Sequence, residues 1–187
     1  MNEPPRFEIR PADPGEMPDL IAIDDDATTL YAKSGLPLVL PRGDPFIADE
    51  QARWTAAAHA GRLFLAFDAR HERAGFAALD VLDDEPYLDQ LSVRTSSMGR
   101  GIGSRLLQHA IEWASRHGGR GLWLTTYRHI RHNAPFYQRR GFVVVPEGDC
   151  GPGVRHHLDA QRAALPLPDE RVAMFRPHRI QATKRRI

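Results

Sequence analysis

Three glycines alternate with other residues in "MGRGIGS", residues 98–104, directly before an amphipathic stretch: they are Gly99, Gly101 and Gly103. Glycine has no Cβ, so its backbone can adopt a positive φ and approach a ligand closely. Apolar residues then follow at helical spacing: Ile102, Leu106, Leu107, Ala110, Ile111 and Ala114. The first turn of a helix has unpaired N–H groups at the positive end of its dipole. These residues therefore predict an anion site, most often one for phosphate.

The spacing separates this loop from two common phosphate-binding loops. A dinucleotide fingerprint needs G-x-G-x-x-G after a first strand, and a P-loop ends in Gly-Lys-Ser/Thr. Here the spacing is G-x-G-x-G, the preceding strand comes in the middle of the chain, and no Gly-Lys pair follows. The glycines taken alone also fit a tight turn between a strand and a helix.

Two segments together resemble the GNAT family of N-acetyltransferases. The family's acyl-CoA motif has the pattern Q/R-x-x-G-x-G/A, and Met98, Gly101 and Gly103 occupy it here. Met98 departs from the pattern, although its backbone N–H is still expected to donate. "HNAPFYQRRGF", residues 132–142, resembles the later family motif and lies at the expected distance downstream.

The resemblance implies a mixed α/β (α+β) fold in a single domain over residues 1–187, with a core at about 6–176 and a basic tail at 177–187. It implies a central, mostly antiparallel sheet of about seven strands, splayed between strands 87–93 and 121–126. Acetyl-CoA is the implied co-substrate, with its pantetheine arm in the splay and its pyrophosphate on the N–H groups of the glycine loop. The implied cofactor-binding residues are Leu91, Ser92, Val93, Met98, Gly99, Arg100, Gly101, Ile102, Gly103, Ser104, Asn133 and Phe136.

Acetyl transfer to an amine needs a base, because alkyl ammonium groups have pKa values near ~10.4, and an acid for the departing thiolate. Tyr137 matches the family tyrosine that protonates the CoA sulfur, and its alternative role is a core aromatic. Asp89 is the first candidate for the base. Strand alternation predicts that Asp89 and Leu91 share one face of the sheet. Asn133 shares a helix face with Tyr137 and either caps that helix or bonds the pantetheine.

The resemblance implies that the first helices of the chain form part of the wall of the acceptor pocket, as they do in the family. Candidate pocket residues are Asp24, Tyr31, Phe46 and Gln90, while Trp54 either lines the pocket or fills the core. Part of the acidic run 24–26 also fits a solvated helix face. Segments 36–46 and 147–168 are long enough to cover a small pocket, which favours a small-molecule amine over a peptide.

The elements that must hold these residues are marked by apolar periodicity and by Gly and Pro. Their predicted order is β-α-α-β-β-β-α-β-α-β-α-β, an antiparallel meander followed by an alternating half. Strands are predicted at 7–12, 62–69, 73–83, 86–93, 121–127, 142–145 and 170–177. Helices are predicted at 15–35, 48–61, 101–117, 133–140 and 151–165, and residues 36–46 are predicted to be a loop.

Composition narrows the class of protein. The net charge is +1, so no overall electric field attracts nucleic acid. The apolar fraction is 42%, and no apolar run in the sequence is long enough to cross a membrane. Cys150 is the single cysteine, which fits a reducing, cytoplasmic setting. The histidine pairs 129/132 and 156/157 lack metal-site spacing, so exposed loop histidines and no metal are expected.

Three functions remain open at this point. The first is an N-acetyltransferase that moves acetyl to the primary amine of a small molecule or amino acid in a ternary complex. The second is a protein or peptide N-acetyltransferase, and the third is a non-catalytic acyl-CoA-binding module, against which the intact "FY" pair at 136–137 argues. Dimers are common in the family, so the resemblance also allows a homodimer.

Overall fold

A computed structural model describes residues 7–36, 38–41 and 43–178. Its strands and helices follow the predicted order throughout. The strands are β1 (Glu8–Pro11), β2 (Leu63–Phe67), β3 (Arg73–Leu82), β4 (Glu85–Val93), β5 (Gly121–Tyr127), β6 (Val143–Val145) and β7 (Arg171–Pro177). The helices are α1 (Met17–Lys33), α2 (Pro45–His59), α3 (Ile102–Arg116), α4 (Ala134–Gln138) and α5 (Pro152–Ala164).

The predicted start of the second helix was wrong. Helix α2 begins at Pro45, three residues before the predicted start, because Asp44 Oδ1 accepts a hydrogen bond from Phe46 N at 2.9 Å and caps the helix. Phe46 is therefore a helical residue and not a loop residue. Strand β7 ends at Pro177, as predicted, and residues 179–187 of the predicted tail lie outside the described residues.

The seven strands form one sheet in the order β1-β2-β3-β4-β5-β7-β6. Among the described strands, every neighbouring pair is antiparallel except β4 and β5, which run parallel. The mixed, mostly antiparallel seven-stranded sheet is as predicted.

The parallel pair opens after two residues. Tyr87 pairs with Trp123 and Leu88 with Leu124, and beyond them the two strands separate. The splay was predicted between these strands, and it begins at Asp89. On the other side of β4 the register with β3 shifts at the same point, since Leu79 faces Leu88 and Ala78 faces Gln90. Asp89 is therefore the extra residue of a β-bulge.

Helices cover both faces of the sheet. On one face α3 buries its apolar stripe, in which Leu106, Leu107 and Ala110 are fully enclosed. On the other face α1 and α2 pack over β2 and β3, and Trp54 lies in that core at 2% exposure. Helix α5 covers β5 and β7 on the same side as α1 and α2. The site thus lies where β4 and β5 part, between these two helical layers.

None of the helices in the described ranges is long and apolar enough to cross a membrane. Within the same ranges, no three His, Cys, Asp or Glu side chains are grouped so that they could hold a metal ion.

Candidate active site

The glycine loop leads directly into α3. Gly101, the residue before the helix, has φ +89° and ψ 0°. This left-handed conformation costs a residue with a Cβ about 1–2 kcal/mol. Gly101 also has no side chain that could cap the helix, so the N–H groups of the first turn are not taken by an N-cap. The Met98 N–H, predicted as a donor to the ligand, instead donates to Thr95 O at 3.3 Å.

Side chains from two other elements fix this loop. Asp26 of α1 accepts from the backbone N and the hydroxyl of Thr95, at 2.5 and 3.0 Å. Arg140 donates to Ser104 Oγ at 2.5 Å and lies 3.7 Å above the Phe136 ring. Arg140 therefore brings a positive charge to the first turn of α3.

Arg100, a predicted cofactor residue, lies elsewhere. Its side chain is 58% exposed and 4.0 Å from Asp68, outside the cavity described below. Arg140 was not identified from the sequence, although it lies inside the second motif.

The open edge of β4 carries the backbone groups of two predicted residues. Arg94 N donates to Ala74 O across the β3–β4 pair at 2.8 Å. In an antiparallel pair, hydrogen-bonded and non-hydrogen-bonded positions alternate. Leu91 and Val93 are the non-bonded positions by this count, so their N–H and C=O groups point away from β3 towards the splay.

One cavity of about 1260 Å³ brings the predicted residues together. Every predicted catalytic, cofactor and pocket residue lines it, with the exception of Arg100. The cavity begins at the glycine loop, passes the edge of β4 and ends among α1, α2 and the start of β7. Residues 38–41 and 43–44 of the long loop after α1 form part of its wall.

A partly buried acid lies beside the edge of β4. Asp24 Oδ1 accepts from Gln90 Nε2 at 2.6 Å and from Ser92 Oγ at 2.5 Å. Burial raises the pKa of Asp24, and these two hydrogen bonds oppose the rise. The Ser92 side chain thus serves the acceptor end of the cavity, and of Ser92 only the backbone is left for the cofactor.

Glu50 of α2 also lines this end of the cavity, and it was not predicted. Burial raises the pKa of its carboxyl to about 8, and the charges of Asp24 and Asp89 add to the rise. Arg53 and Arg171 oppose it. In the sequence Glu50 is one acid among polar helix residues, and only the packing of α2 over β4 distinguishes it.

Asp89, the predicted base, is held by two partners. Arg53 Nε lies 3.2 Å from Asp89 Oδ2, and His157 Nε2 lies 3.0 Å from Oδ1. The Asp89 side chain is 4% exposed. Because of the bulge, Asp89 faces α2 and α5 together with Gln90 and Ser92, and not with Leu91 as strand alternation predicted.

Two of the four histidines expected in exposed loops lie in packed positions. His157 is on α5, has a 12% exposed side chain and contacts the Tyr87 ring edge-on at 4.9 Å. His132 packs edge-on against Tyr31 at 5.3 Å, and burial lowers its pKa. His129 and His156 are exposed, and His156 lies on α5.

Tyr137 of α4 lines the cavity from the side of the second motif. Its ring packs edge-on against Phe136 and Phe142, with centroids 5.2 and 5.7 Å away. Burial raises the pKa of Tyr137, so the phenol keeps its proton at neutral pH and could donate it. Tyr137 is at once a packed aromatic and a cavity residue.

Asn133 does not cap α4, and its contact with the pantetheine stays a prediction. It makes no capping hydrogen bond to α4, and its Nδ2 donates to the Tyr31 hydroxyl at 3.0 Å. Tyr31 also packs edge-on against Tyr127 at 5.9 Å. The hydrogen bond between Asn133 and Tyr31 connects the end of α1 to the start of α4 across the cavity.

A polar network closes the acceptor end. Thr125 Oγ1 lies 2.6 Å from the Tyr87 hydroxyl and donates to Gln161 Oε1 at 2.7 Å. Arg171 donates to the same Gln161 oxygen. Gln161 and Arg171 line the cavity, and neither was predicted, because nothing in the pattern distinguishes Arg171 from the other arginines.

Solved structures with the same fold are acetyltransferases. N-acetylglutamate synthase from Neisseria gonorrhoeae, complexed with coenzyme A and N-acetyl-glutamate, matches with a TM-score of 0.64 at 20% identity, over 93% of this chain and 36% of that one. This chain thus spans about a third of that protein.

Two further structures match over nearly their full lengths. The ribosomal-protein-S18-alanine N-acetyltransferase from Escherichia coli has a TM-score of 0.62 at 17% identity, over 97% of this chain and 100% of that one. The PaiA N-acetyltransferase from Thermoplasma acidophilum, in complex with coenzyme A, has a TM-score of 0.65 at 16% identity, over 92% and 99%.

The model of the acetyltransferase (GNAT) family matches residues 25–142, which include both sequence motifs, the glycine loop and the opened strands. With more than half of the chain matched, this protein belongs to the GNAT family of CoA-dependent acetyltransferases.

Proposed function

We propose that the chain transfers acetyl from acetyl-CoA to the primary amine of a small molecule, by direct attack in a ternary complex. One observation carries the proposal: a single cavity joins the N-terminus of α3, an open strand edge, a partly buried phenol and a group of partly buried acids. These are the parts that cofactor binding, carbonyl activation and proton transfer require.

The cofactor end is supported by backbone groups. The N–H groups from Gly99 to Ser104 receive the pyrophosphate, with the positive end of α3 and the Arg140 charge nearby. The pantetheine arm lies along β4 in place of a strand, bonded to Leu91 and Val93. A free N–H of this edge stabilises the oxyanion that forms on the thioester carbonyl.

Proton transfers are assigned to two groups. A base takes a proton from the ammonium, and the amine nitrogen then attacks the thioester carbon. As the carbonyl re-forms, the C–S bond breaks, Tyr137 gives its proton to the departing sulfur, and the nitrogen loses its second proton to solvent to become the neutral amide. Solvent returns the proton to Tyr137 and removes the one held by the base.

Glu50 is the better supported base. Its pKa of about 8 lies close to neutral pH, where a base is most effective, and it lines the cavity. Asp89 stays a candidate, but Arg53 and His157 already occupy both of its oxygens. We assign Asp89 to holding α2 and α5 against β4.

The enclosed acceptor end supports a small amine over a peptide. The loop after α1, the first turn of α2 and the end of α5 all contribute wall residues: Leu38, Val39, Phe46, Gln161 and Leu165. Cys150 lies outside this cavity and is buried, and burial raises the pKa of its thiol, which supports direct attack without an acyl-cysteine. A single free cysteine also fits the cytoplasm, where we place the reaction.

The test is CoA thiol release from acetyl-CoA with a panel of amino acids, polyamines, aminoglycosides and peptides. We expect turnover with one small-molecule class and a loss of at least about tenfold in Tyr137→Phe. Isothermal titration calorimetry should show unchanged acetyl-CoA affinity in that variant. Turnover only with peptides would favour the protein acetyltransferase. Tight acetyl-CoA binding without turnover on any acceptor would favour the binding module.

A further inference from the structure

A buried cation at the acceptor end has no acidic partner among the described residues. Arg171, at the start of β7, is 6% exposed and lines the cavity. In the described part of the chain, none of the ion pairs includes it. Its neighbours are neutral: the Gln161 amide and the Tyr127 phenol, whose ring lies 4.6 Å below the guanidinium.

The Arg171 Nε is buried and has no hydrogen-bond partner among the described residues. A buried guanidinium normally pairs with an acid, because leaving the charge unpaired costs several kcal/mol. Fold stability alone therefore gives little reason for this arginine. A binding site for an anion gives one.

The acids of the cavity are not positioned to neutralise Arg171. Asp24 is bonded to Gln90 and Ser92, and Asp89 to Arg53. Glu50 feels the charge of Arg171 only through space, not as a contact. The acceptor end thus holds acids and a separate, uncompensated cation, an arrangement that matches a molecule with an amine and an anionic group.

We infer that Arg171 binds a carboxylate of the acceptor, so that the substrate is an amino acid or a closely related amino carboxylate. This inference rests on the proposed function and names its substrate class. The guanidinium receives the carboxylate in the fork geometry that arginine offers, while Gln161 and Tyr127 hold the guanidinium in place. The amino group then lies towards Glu50 and the edge of β4.

The first test needs no variant. All twenty L-amino acids are assayed for acetylation. L-methionine, L-serine and L-lysine are each compared with their α-amide and their decarboxylated amine. Binding of every compound to the CoA complex is measured by calorimetry. We expect an amino acid to exceed its amide and its amine by at least about tenfold in kcat/KM, since hydrogen bonds to a charged partner give roughly that factor.

The second test uses Arg171→Gln, with Arg155→Gln on the exposed face of α5 as the matched control. We expect Arg171→Gln to lose at least about tenfold in kcat/KM for the amino acid, mostly in KM, and little for the decarboxylated amine. Its affinity for acetyl-CoA should stay within about twofold of wild type. If Arg171→Gln does not fold, the wild-type comparison still decides.

Equal turnover of acids, amides and amines overturns the inference and leaves the proposed function standing. Binding of no amino acid at all overturns it as well. A general loss in Arg171→Gln, alike for acid and amine, assigns Arg171 a structural role and also overturns it. If wild-type protein fails to bind acetyl-CoA, the proposed function itself fails, and with it this inference.

Discussion

The two ends of the cavity are built in different ways. The cofactor end uses backbone groups: a glycine loop, a helix terminus and the free edge of β4, all within residues 91–104. The acceptor end uses side chains from six elements, α1, α2, β4, β5, α5 and β7, among them Asp24, Glu50, Asp89 and Arg171. Backbone groups stay the same when side chains change, so a site made of them keeps one ligand. A site made of side chains can change its specificity through single substitutions.

The difference also appears in the electrostatics. The cofactor end offers backbone dipoles, with the charge of Arg140 bonded to the first turn of α3. The acceptor end encloses several ionisable groups, and burial raises the pKa of Asp24 and of Glu50. If the two ends are independent, a substitution at the cofactor end changes KM for acetyl-CoA alone. A substitution at the acceptor end changes kcat or the acceptor KM and leaves acetyl-CoA affinity unchanged. The following predictions test that independence.

The largest effect is expected at the acceptor end, from Glu50→Gln. Removing the base while keeping its shape should lower kcat by roughly 10²–10³-fold, the range of general base catalysis. Acetyl-CoA affinity, measured by calorimetry, should not change. Asp49→Asn, one residue earlier and exposed, is the matched control and should retain full activity. Full activity in Glu50→Gln would return the base to Asp89.

The cofactor end is tested by Gly101→Ala, which places a Cβ at φ +89°. We expect a loss of about 1–2 kcal/mol in the free energy of unfolding. A rise of about tenfold in KM for acetyl-CoA should accompany it, because the loop shifts to relieve the strain. Acceptor KM should stay the same.

The control for this variant is Gly118→Ala, after the end of α3. Gly118 has φ +86° and open space around it, so the cost in stability is similar while the cavity lies elsewhere. An equal rise in acetyl-CoA KM in both variants would mean that lost stability, not the loop, causes the effect.

The coupling between acids can be measured from pH dependence. The Asp89 charge raises the pKa of Glu50, so Asp89→Asn should lower that pKa. Glu50 must be ionised to accept a proton. In wild type the activity should therefore rise with pH through about 8, and in Asp89→Asn the rise should come at lower pH.

The same acceptor is used for wild type and Asp89→Asn, so the substrate amine titrates identically in both measurements. A shift of the kcat/KM profile along the pH axis therefore comes from the enzyme. A variant with almost no activity at any pH would instead identify Asp89 as the base. An unchanged profile would show that Glu50 does not control it.

The same contrast explains what the sequence could predict. The order of helices and strands could be predicted because Gly and Pro end the segments of periodic hydrophobicity, as at Gly35, Gly61 and Gly141. The cofactor end could be predicted because its backbone groups lie in one short segment, residues 91–104. Glu50 and Arg171 were missed because their surroundings depend on how separate elements pack, α2 against the sheet and α5 against β7. The bulge at Asp89 depends on the pairing of β3 with β4, so alternation along a single strand misassigned its face.

The smallest effect is expected from Arg140→Gln, which removes the guanidinium that donates to Ser104 in the first turn of α3. The loss should appear as a rise of about threefold to tenfold in KM for acetyl-CoA, larger at low salt, because the guanidinium acts on phosphate mainly through its charge. Arg116→Gln, at the far end of α3, is the control. Since Arg140 also stacks on Phe136, next to Tyr137, a fall in kcat would show that the two ends are coupled through α4. A change confined to KM would show that backbone groups bind the cofactor while side chains at the other end select the acceptor.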